Sequence, residues 1–249
     1  MKGVGEEGVN NFGSKMIITR YKNSKDIDVY FPQYHWVFKG TTYKEFNNGK
    51  IRCPYEERVY NIGFLGEGEY KSKINKKNTD EYVDWYSMLR RCYNVDLHHR
   101  EPTYVGCEVY EEWHNFQNFA KWYGDNFYQI PNEKMQLDKD ILDKGNKIYC
   151  PNKCIYVPQR INNLFTKCNI SRGDLPIGVS RYGNKYRSYC QNSNGQRVHL
   201  GYFYDINSAF LSYKIFKENT IKQVADEYKE LIPIKLYNAM YKYEVLIDD

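Results

Sequence analysis

Side chains with the chemistry of a metal site lie in one stretch of the sequence, from Met135 to Lys167. Two carboxylates, Asp138 and Asp140, come near its beginning, and two adjacent amides, Asn162 and Asn163, come near its end. Carboxylate and amide oxygens suit Mg²⁺, which takes one or two carboxylates from a protein and keeps several of its waters. The stretch therefore predicts a site for Mg²⁺ or Mn²⁺.

Two strands and a helix must position these groups. The first strand is predicted over Gln136–Leu142, and a turn rich in Gly, Asn and Pro separates it from a second strand over Cys154–Val157. A helix is predicted to begin at Pro158 and Gln159. A strand, loop, strand and helix in this order bring a strand carboxylate and a helix amide together.

Length and composition limit the class of protein. At 249 residues and a mean hydropathy of -0.79, the chain predicts several small modules rather than one large core. Aromatic residues make up 17%, which indicates a folded chain. The sequence begins without an apolar run and no stretch approaches a membrane span, so we expect a cytoplasmic protein with no membrane partner.

The seven cysteines are an odd number in a chain without a secretion signal, which predicts reduced thiols. Cys150 and Cys154, with Cys92 and Cys107, offer four thiols for zinc. Their spacing departs from the close CxxC pairs of structural zinc sites, so we do not expect structural Zn²⁺.

Positive charge is concentrated in residues 167–222. This segment has nine Lys or Arg residues and three acids, a local excess of six, whereas the whole chain has a net charge of +5. A basic segment rich in tyrosine is typical of proteins that bind the phosphate backbone of nucleic acid.

A three-stranded meander is predicted inside this basic segment, over Ile177–Tyr182, Lys185–Gln191 and Arg197–Phe203. A helix over Ile206–Lys217, capped by Asp205, is expected to cover its apolar side. The charged side then stays free to enter a DNA major groove, and the alternative is a solvated charged face. The predicted DNA contacts are Arg181, Lys185, Arg187, Tyr189, Gln191, Arg197 and His199.

The remaining segments are predicted from their periodicity. Residues 1–65 are β-rich, with strands over Lys15–Tyr21, Ile27–Phe31 and Trp36–Thr42. This module either only folds or also binds nucleic acid through exposed cations such as Arg20, Lys22, Lys39, Lys44, Lys50 and Arg52. A further helix is predicted after an N-cap at Thr79 and through Tyr93, and others over Tyr110–Asn126, 220–230 and 233–243.

The basic segment resembles the ethylene-response-factor (apetala) type of DNA-binding domain. The residues that carry the resemblance are Gly178-Val179, Arg181, Lys185-Tyr186, Arg197-Val-His-Leu-Gly201, Phe203, Asp205 and Ala209. In that family a three-stranded sheet packs on one helix and docks in the major groove. The tryptophan that plant members often place before the Gly-Lys turn is missing, so the resemblance implies the docking mode without a sequence preference.

The stretch from Trp85 to Phe165 resembles phage- and intron-encoded HNH endonucleases. The matching residues are Trp85-x2-Met88-Leu-x-Arg91-Cys92-Tyr93, Glu112-Trp113-x2-Phe116, Leu137-Asp138-Lys-Asp140, Tyr149-x-Pro151-x2-Cys154 and Gln159-x2-Asn162-Asn163.

The HNH resemblance implies a site with one divalent metal. Asp138 would be the strand ligand and Asn162 the helix ligand, with Asp140 and Asn163 as near alternatives. Many members have a base histidine after the strand carboxylate, whereas this chain has Lys139 there. A protonated lysine is a poor base but can hold a phosphate. We therefore expect the general base to be one of Asp140, His98, His99 and His114.

Together the patterns and the two resemblances predict a multi-domain α+β protein with a central ββα-metal unit and a C-terminal sheet on a helix. The expected parts are a β-rich accessory module over 1–65, a linker over 66–78, an HNH-like nuclease domain over 79–168, an ethylene-response-factor-like domain over 172–222, and a helical extension over 223–249. The predicted function is a metal-dependent endonuclease that nicks double-stranded DNA, as a monomer or homodimer. The alternative is a DNA-binding regulator on a degenerate HNH scaffold.

Overall fold

The computed structural model describes residues 3–166 and 174–249 and has an α+β architecture. Lys167, Arg172 and the predicted boundary between 168 and 172 lie outside the described residues. Within the described ranges, no helix is long and apolar enough to cross a lipid bilayer.

The strands are β1 (Glu7–Val9), β2 (Lys15–Asn23), β3 (Asp26–Phe31), β4 (Trp36–Thr41), β5 (Lys73–Ile74), β6 (Lys77–Asn78), β7 (Glu108–Val109), β8 (Met135–Asp138), β9 (Ile148–Tyr149), β10 (Ile155–Pro158), β11 (Val179–Tyr182), β12 (Lys185–Gln191) and β13 (Arg197–Phe203). The helices are α1 (Tyr43–Asn47), α2 (Asp80–Tyr93), α3 (Val95–Arg100), α4 (Phe116–Asn126), α5 (Gln159–Leu164), α6 (Ile206–Glu227) and α7 (Ile234–Tyr241).

The chain divides into two compact units, each described by itself. The first contains Met1–Asp125 and Ile148–Cys150, and the second contains Asn126–Lys147 and Pro151–Asp249.

The first unit begins with an antiparallel sheet in the order β1-β2-β3-β4. Alternation along β3 buries Ile27, Val29 and Phe31 completely. The predicted strands of this module are confirmed as β2, β3 and β4.

Some of the cations predicted to be available in this module are paired within it. Arg20 lies 2.6 Å from carboxylate oxygens of Asp26 and Asp28, and Lys22 lies 3.9 Å from Asp26. The acids of β3 therefore neutralise two of the six cations proposed for nucleic acid.

A helical layer completes the first unit. Trp85 on α2 is fully buried, its indole N–H donates to the Trp113 carbonyl oxygen at 2.7 Å, and its ring lies 5.5 Å from that of Phe116. The helix predicted over Tyr110–Asn126 begins only at Phe116, because Asn115 before it is extended and a short 3-10 turn occupies Glu111–His114.

The segment predicted as a linker, residues 66–78, packs against α4 and contains the β5–β6 hairpin. The Gln117 side chain donates to the carbonyl oxygens of Leu65 and Tyr70 at 3.1 and 3.0 Å, and accepts the N–H of Tyr70 at 3.0 Å. One side-chain amide thus pairs three backbone groups, which the Gly- and Lys-rich composition does not reveal.

In the second unit, β8 and β10 pair antiparallel, with Asp138 opposite Ile155 and Met135 opposite Pro158. The helix α5 begins directly after β10, with Pro158 at its N-cap. The predicted order of strand, loop, strand and helix is confirmed, except that the first strand ends at Asp138 instead of Leu142.

The strands β11, β12 and β13 form a three-stranded antiparallel sheet, which confirms the predicted meander. Gly178, just before β11, has φ +78, and a Cβ there would lie 2.0 Å from the Tyr213 ring. Only glycine allows both this backbone and the close approach of α6.

The helix α6 is continuous over 22 residues, where two helices over 206–217 and 220–230 were predicted. Its first half packs under the sheet through Ala209 and Tyr213. Its second half joins the core of the β8–β10–α5 group through Ile221 and Val224. Two hydrophobic cores of the second unit therefore share one helix.

Candidate active site and nucleic-acid interface

Asp138 is the last residue of β8, and its side chain caps the turn that follows. Its Oδ1 accepts the backbone N–H groups of Asp140 at 2.9 Å and Ile141 at 2.8 Å. A carboxylate that bonds to its own downstream backbone competes with the strand ladder, which explains the early end of β8. Both hydrogen bonds use Oδ1, so neither engages Oδ2.

The surroundings of Asp138 disfavour its charged form. Burial raises the pKa of Asp138 to about 6, and the nearby Asp140 carboxylate adds to the shift. The two backbone N–H groups and Lys139 act in the opposite direction. A bound cation would relieve both the desolvation and the repulsion, and a carboxylate perturbed in this way is a candidate functional group.

The helix α5 brings Asn162 against the same strand. Its Nδ2 donates to Gln136 Oε1 at 2.6 Å. Gln136 stands two residues before Asp138, so the two side chains share one face of β8. The hydrogen bond uses the nitrogen of the Asn162 amide, so this contact leaves out Oδ1, the atom that binds a hard cation.

Asn163, the alternative helix ligand, is exposed. It follows Asn162 by one residue, which corresponds to a rotation of about 100° around a helix. The contact with β8 therefore favours Asn162 over Asn163 as the ligand.

Lys139 is buried and its ammonium group holds the loop after β8. Nζ donates to the Asn146 carbonyl oxygen at 3.0 Å and lies 3.2 Å from Asp140 Oδ2. The Asn146 side chain returns a bond of 2.7 Å to the Lys139 carbonyl oxygen. An ammonium that donates to a carbonyl is not a proton acceptor, so these contacts indicate that Lys139 shapes the loop.

The other candidates for the base are placed differently. His98 and His114 lie in the first unit, where their Nε2 atoms bond to the carbonyl oxygens of Arg91 at 2.8 Å and Val109 at 3.2 Å. His99 lies in the same unit and is exposed. Asp140 is also exposed, and it belongs to the same unit and the same loop as Asp138, two residues after the proposed ligand.

The donor set fits Mg²⁺ or Mn²⁺. Within residues 3–166 and 174–249, no three His, Cys, Asp or Glu side chains gather into a metal-binding group. Mg²⁺ does not need such a cage, since it is usually held by one or two carboxylates, waters and substrate phosphate. Asp138 with the amide oxygen of Asn162 matches that requirement.

The sheet of the second unit has an apolar face toward α6 and a polar outer face. Ser188 and Cys190 on β12 are buried against α6, as alternation predicts. Residues paired across antiparallel strands share a face. The pairs on the outer face are Tyr182 with Lys185, Ser180 and Tyr202 with Arg187, Tyr189 with His199, and Gln191 with Arg197.

Aromatic rings hold the arginines on this outer face. The Arg197 guanidinium lies 3.7 Å from the Tyr189 ring centroid, and that of Arg187 lies 5.9 Å from the rings of both Tyr189 and Tyr182. The Tyr182 and Tyr202 rings are 4.9 Å apart. Cations that are already positioned lose less side-chain entropy when they bind an anion.

Arg181 is separated from the other six predicted DNA contacts. It pairs with Tyr186, whose side chain packs with the core under the sheet, and its guanidinium lies 5.8 Å from the Tyr186 ring. Paired residues of antiparallel strands lie on the same face, so Arg181 lies on the α6 side of the sheet, as Tyr186 does. It is at the sheet edge and not on the outer face.

Three residues of these surfaces are absent from the sequence-based assignments. The only signal in the sequence for Gln136 is its position two residues before Asp138, which places both side chains on the same face of the strand. Tyr182 and Tyr202 lie on the outer face because their strands pair with β12, and the sequence alone does not give that pairing.

We expect Gln136→Leu to weaken Mn²⁺ binding by about 10–100-fold, because groups that orient a ligand typically contribute that much. Gln136→Glu keeps an acceptor for the Asn162 amide and should bind more tightly than Gln136→Leu. Titration of Mn²⁺ by electron paramagnetic resonance, without DNA, measures both. Equal affinity in the wild type and Gln136→Leu would contradict the orienting role.

We also expect Asp138 to give the metal-free protein a specific pH dependence. Its pKa is raised from 3.8 to about 6 on folding, so the folded state binds this proton more tightly. The resulting stability is fully present below about pH 3.8 and is lost as the pH rises through about 6. Free energies of urea unfolding in EDTA should fall less steeply between pH 4 and 6 in Asp138→Asn than in the wild type. Identical slopes would show that Asp138 does not titrate as described.

Comparisons with protein-family models, curated proteins and solved structures give no match for this chain.

Proposed function

We propose that this chain is a metal-dependent endonuclease that binds double-stranded DNA through the outer face of its C-terminal sheet and nicks one strand per active site. The observation that carries the proposal is the Gln136–Asn162 contact, which joins α5 to the strand face of Asp138. The sequence resemblance to phage- and intron-encoded HNH endonucleases supports the same assignment.

In this proposal Asp138 and Asn162 would hold one Mg²⁺ or Mn²⁺. Such an ion would supply positive charge that stabilises the negative charge developing on the phosphate and the leaving oxygen. Asp140, with its exposed carboxylate, accepts a proton from the attacking water. Lys139 keeps Asp140 and the loop in place through its contacts to Asp140 and Asn146.

The outer face of the sheet supplies the DNA contacts. Arg187 and Arg197 lie near tyrosine rings on one side of the sheet, and arginines on one face can read base edges in the major groove. The apetala-type resemblance supports this docking mode.

The test is a nicking assay on a supercoiled plasmid. A binding site is first selected from random duplex DNA with the full-length protein in EDTA and is then cloned into the plasmid. We expect conversion to open circles with Mg²⁺ or Mn²⁺ and none with EDTA. Binding without nicking in either metal would overturn the nuclease assignment.

One observation favours a second candidate, a DNA-binding regulator without catalysis. The residue after Asp138 is a lysine whose ammonium is bound into the loop, at the position where many HNH endonucleases have their base. This candidate predicts sequence-specific binding that does not change when EDTA is added, and no nicking.

A further inference from the structure

The sheet and the candidate metal site are built on the same helix. The first half of α6 contributes Ala209, Phe210 and Tyr213 to the core under the sheet. Its second half contributes Ile221 and Val224 to the core of the β8–β10–α5 group. All these residues are buried, so neither half of α6 can move without opening a core.

Arg160 on α5 forms a second connection, two residues before Asn162. Its Nη2 donates to the carbonyl oxygen of Ser193, in the turn between β12 and β13, at 3.0 Å. The same nitrogen lies 2.6 Å from Glu227 at the end of α6. One side chain therefore links the site helix, the sheet and α6.

The C-terminal segment forms a third connection. The Tyr243 ring lies 4.7 Å from that of Phe165, which follows α5. Val245 is buried in the core under the sheet, where its carbonyl oxygen accepts Lys214 Nζ at 2.8 Å and its N–H donates to Glu218 at 2.9 Å. The segment thus contacts the α5 end of the site and the sheet core together.

We propose that these three connections make the sheet and the metal site one rigid body, so that the nick falls at a fixed distance from the base pairs contacted by the sheet. This inference rests on the proposed nuclease function. A helix of 22 residues is about 33 Å long, close to one turn of DNA, or about ten base pairs. We therefore expect the nick within about ten base pairs of the contacted bases.

The first test changes the DNA and leaves the protein intact. One, two or five base pairs are inserted between the footprint of the sheet and the nick, and the cut is mapped at nucleotide resolution. We expect the nick to keep its distance from the footprint and therefore to move to a new sequence. A nick that stays at its original sequence would overturn the inference.

The second test does not depend on catalysis. Residual dipolar couplings of the full-length protein are measured by NMR for amides in β11–β13 and in β8, β10 and α5. A single alignment tensor should fit both groups. A need for two tensors would overturn the rigid connection, whether or not the protein cuts DNA. Absence of nicking by the wild type would refute the proposed function alone.

A matched pair of variants tests the role of α6. Asn219 is exposed between the two halves of α6, and proline there removes a helix hydrogen bond and kinks the helix. We expect Asn219→Pro to require two tensors and to scatter the nick over several phosphodiesters, whereas Asn219→Ala keeps one tensor and one nick. Should Asn219→Pro fail to fold, Arg160→Gln serves in its place, with the expectation of smaller changes in the same direction. Wild-type couplings and nick positions in a folded Asn219→Pro, or in Arg160→Gln where Asn219→Pro does not fold, would refute the inference.

Discussion

Replacing Asp138 with alanine is expected to lower the nicking rate by about 10³-fold or more, with little change in DNA affinity. A metal ligand supports several kcal/mol of charge stabilisation, and about 4 kcal/mol corresponds to about 10³-fold in rate. Binding should persist because the proposed DNA contacts lie on the sheet and not in the β8 loop. Single-turnover nicking of a plasmid and titration of labelled duplex in EDTA measure the two quantities separately.

The controls for Asp138→Ala are a second substitution of Asp138 and a substitution in the loop that follows it. Asp138→Asn keeps an Oδ1 acceptor for the N–H groups of Asp140 and Ile141 but removes the charge, so it separates loss of the ligand from loss of the turn. Asp143 is exposed and paired with Lys153 at 2.7 Å, and Asp143→Ala should nick at close to the wild-type rate. Full activity in Asp138→Asn would show that the carboxylate charge is not needed.

The second large effect is expected on the outer face of the sheet. Arg197→Ala should weaken binding to the selected duplex by about 1–3 kcal/mol, or about 5–150-fold, if Arg197 contacts a base edge. The double variant with Arg187→Ala and Arg197→Ala should lose more binding free energy than Arg197→Ala. Its affinity for the duplex should also depend less on salt concentration. Fluorescence anisotropy at several salt concentrations measures both quantities.

Arg181 provides the matched control for this prediction. It is an exposed arginine of the same sheet, but the register places it on the α6 side with Tyr186. Arg181→Ala removes the same charge and should cost much less affinity than Arg197→Ala. Equal losses in the two variants would mean that net charge, and not the outer face, determines binding.

The local sequence pattern predicts the strands of the sheet but not the face on which every side chain lies. The bounds of β12 and β13 follow from alternating residues between Gly- and Asn-rich turns, and the structure confirms both. The face of Arg181 does not follow from the same pattern. It depends on the pairing of β11 with β12, and a shift of one residue in that pairing moves every side chain to the other face.

The candidate site also has some features that the sequence predicts and others that it does not. The types of its ligands and the order of its elements are visible in the sequence, because carboxylates, amides and strand periodicity are local features. The end of β8 is not, because it depends on Asp138 bonding to the backbone beyond it. The role of Gln136 is not visible either, because it arises only when α5 folds back onto β8.

The continuity of α6 is hidden for another reason. Lys217, Glu218 and Asn219 interrupt the apolar pattern and suggest a break between two short helices. In the structure this polar interval lies where α6 passes from one core to the other. Lys217 is partly buried there, and burial lowers the pKa of its ammonium group.

The shared helix also has a thermodynamic consequence. Because Tyr213 serves one core and Val224 serves the other on the same run of helical hydrogen bonds, unfolding of either core exposes part of the other. The second unit should therefore melt in one cooperative transition, with amide exchange in β8 and β12 limited by the same opening. A destabilising change such as Phe210→Ala, beneath the sheet, would then reduce the folded population of the metal site as well. A loss of nicking in such a variant would report lost folding, even though every proposed DNA-contacting side chain and every proposed metal ligand is still present.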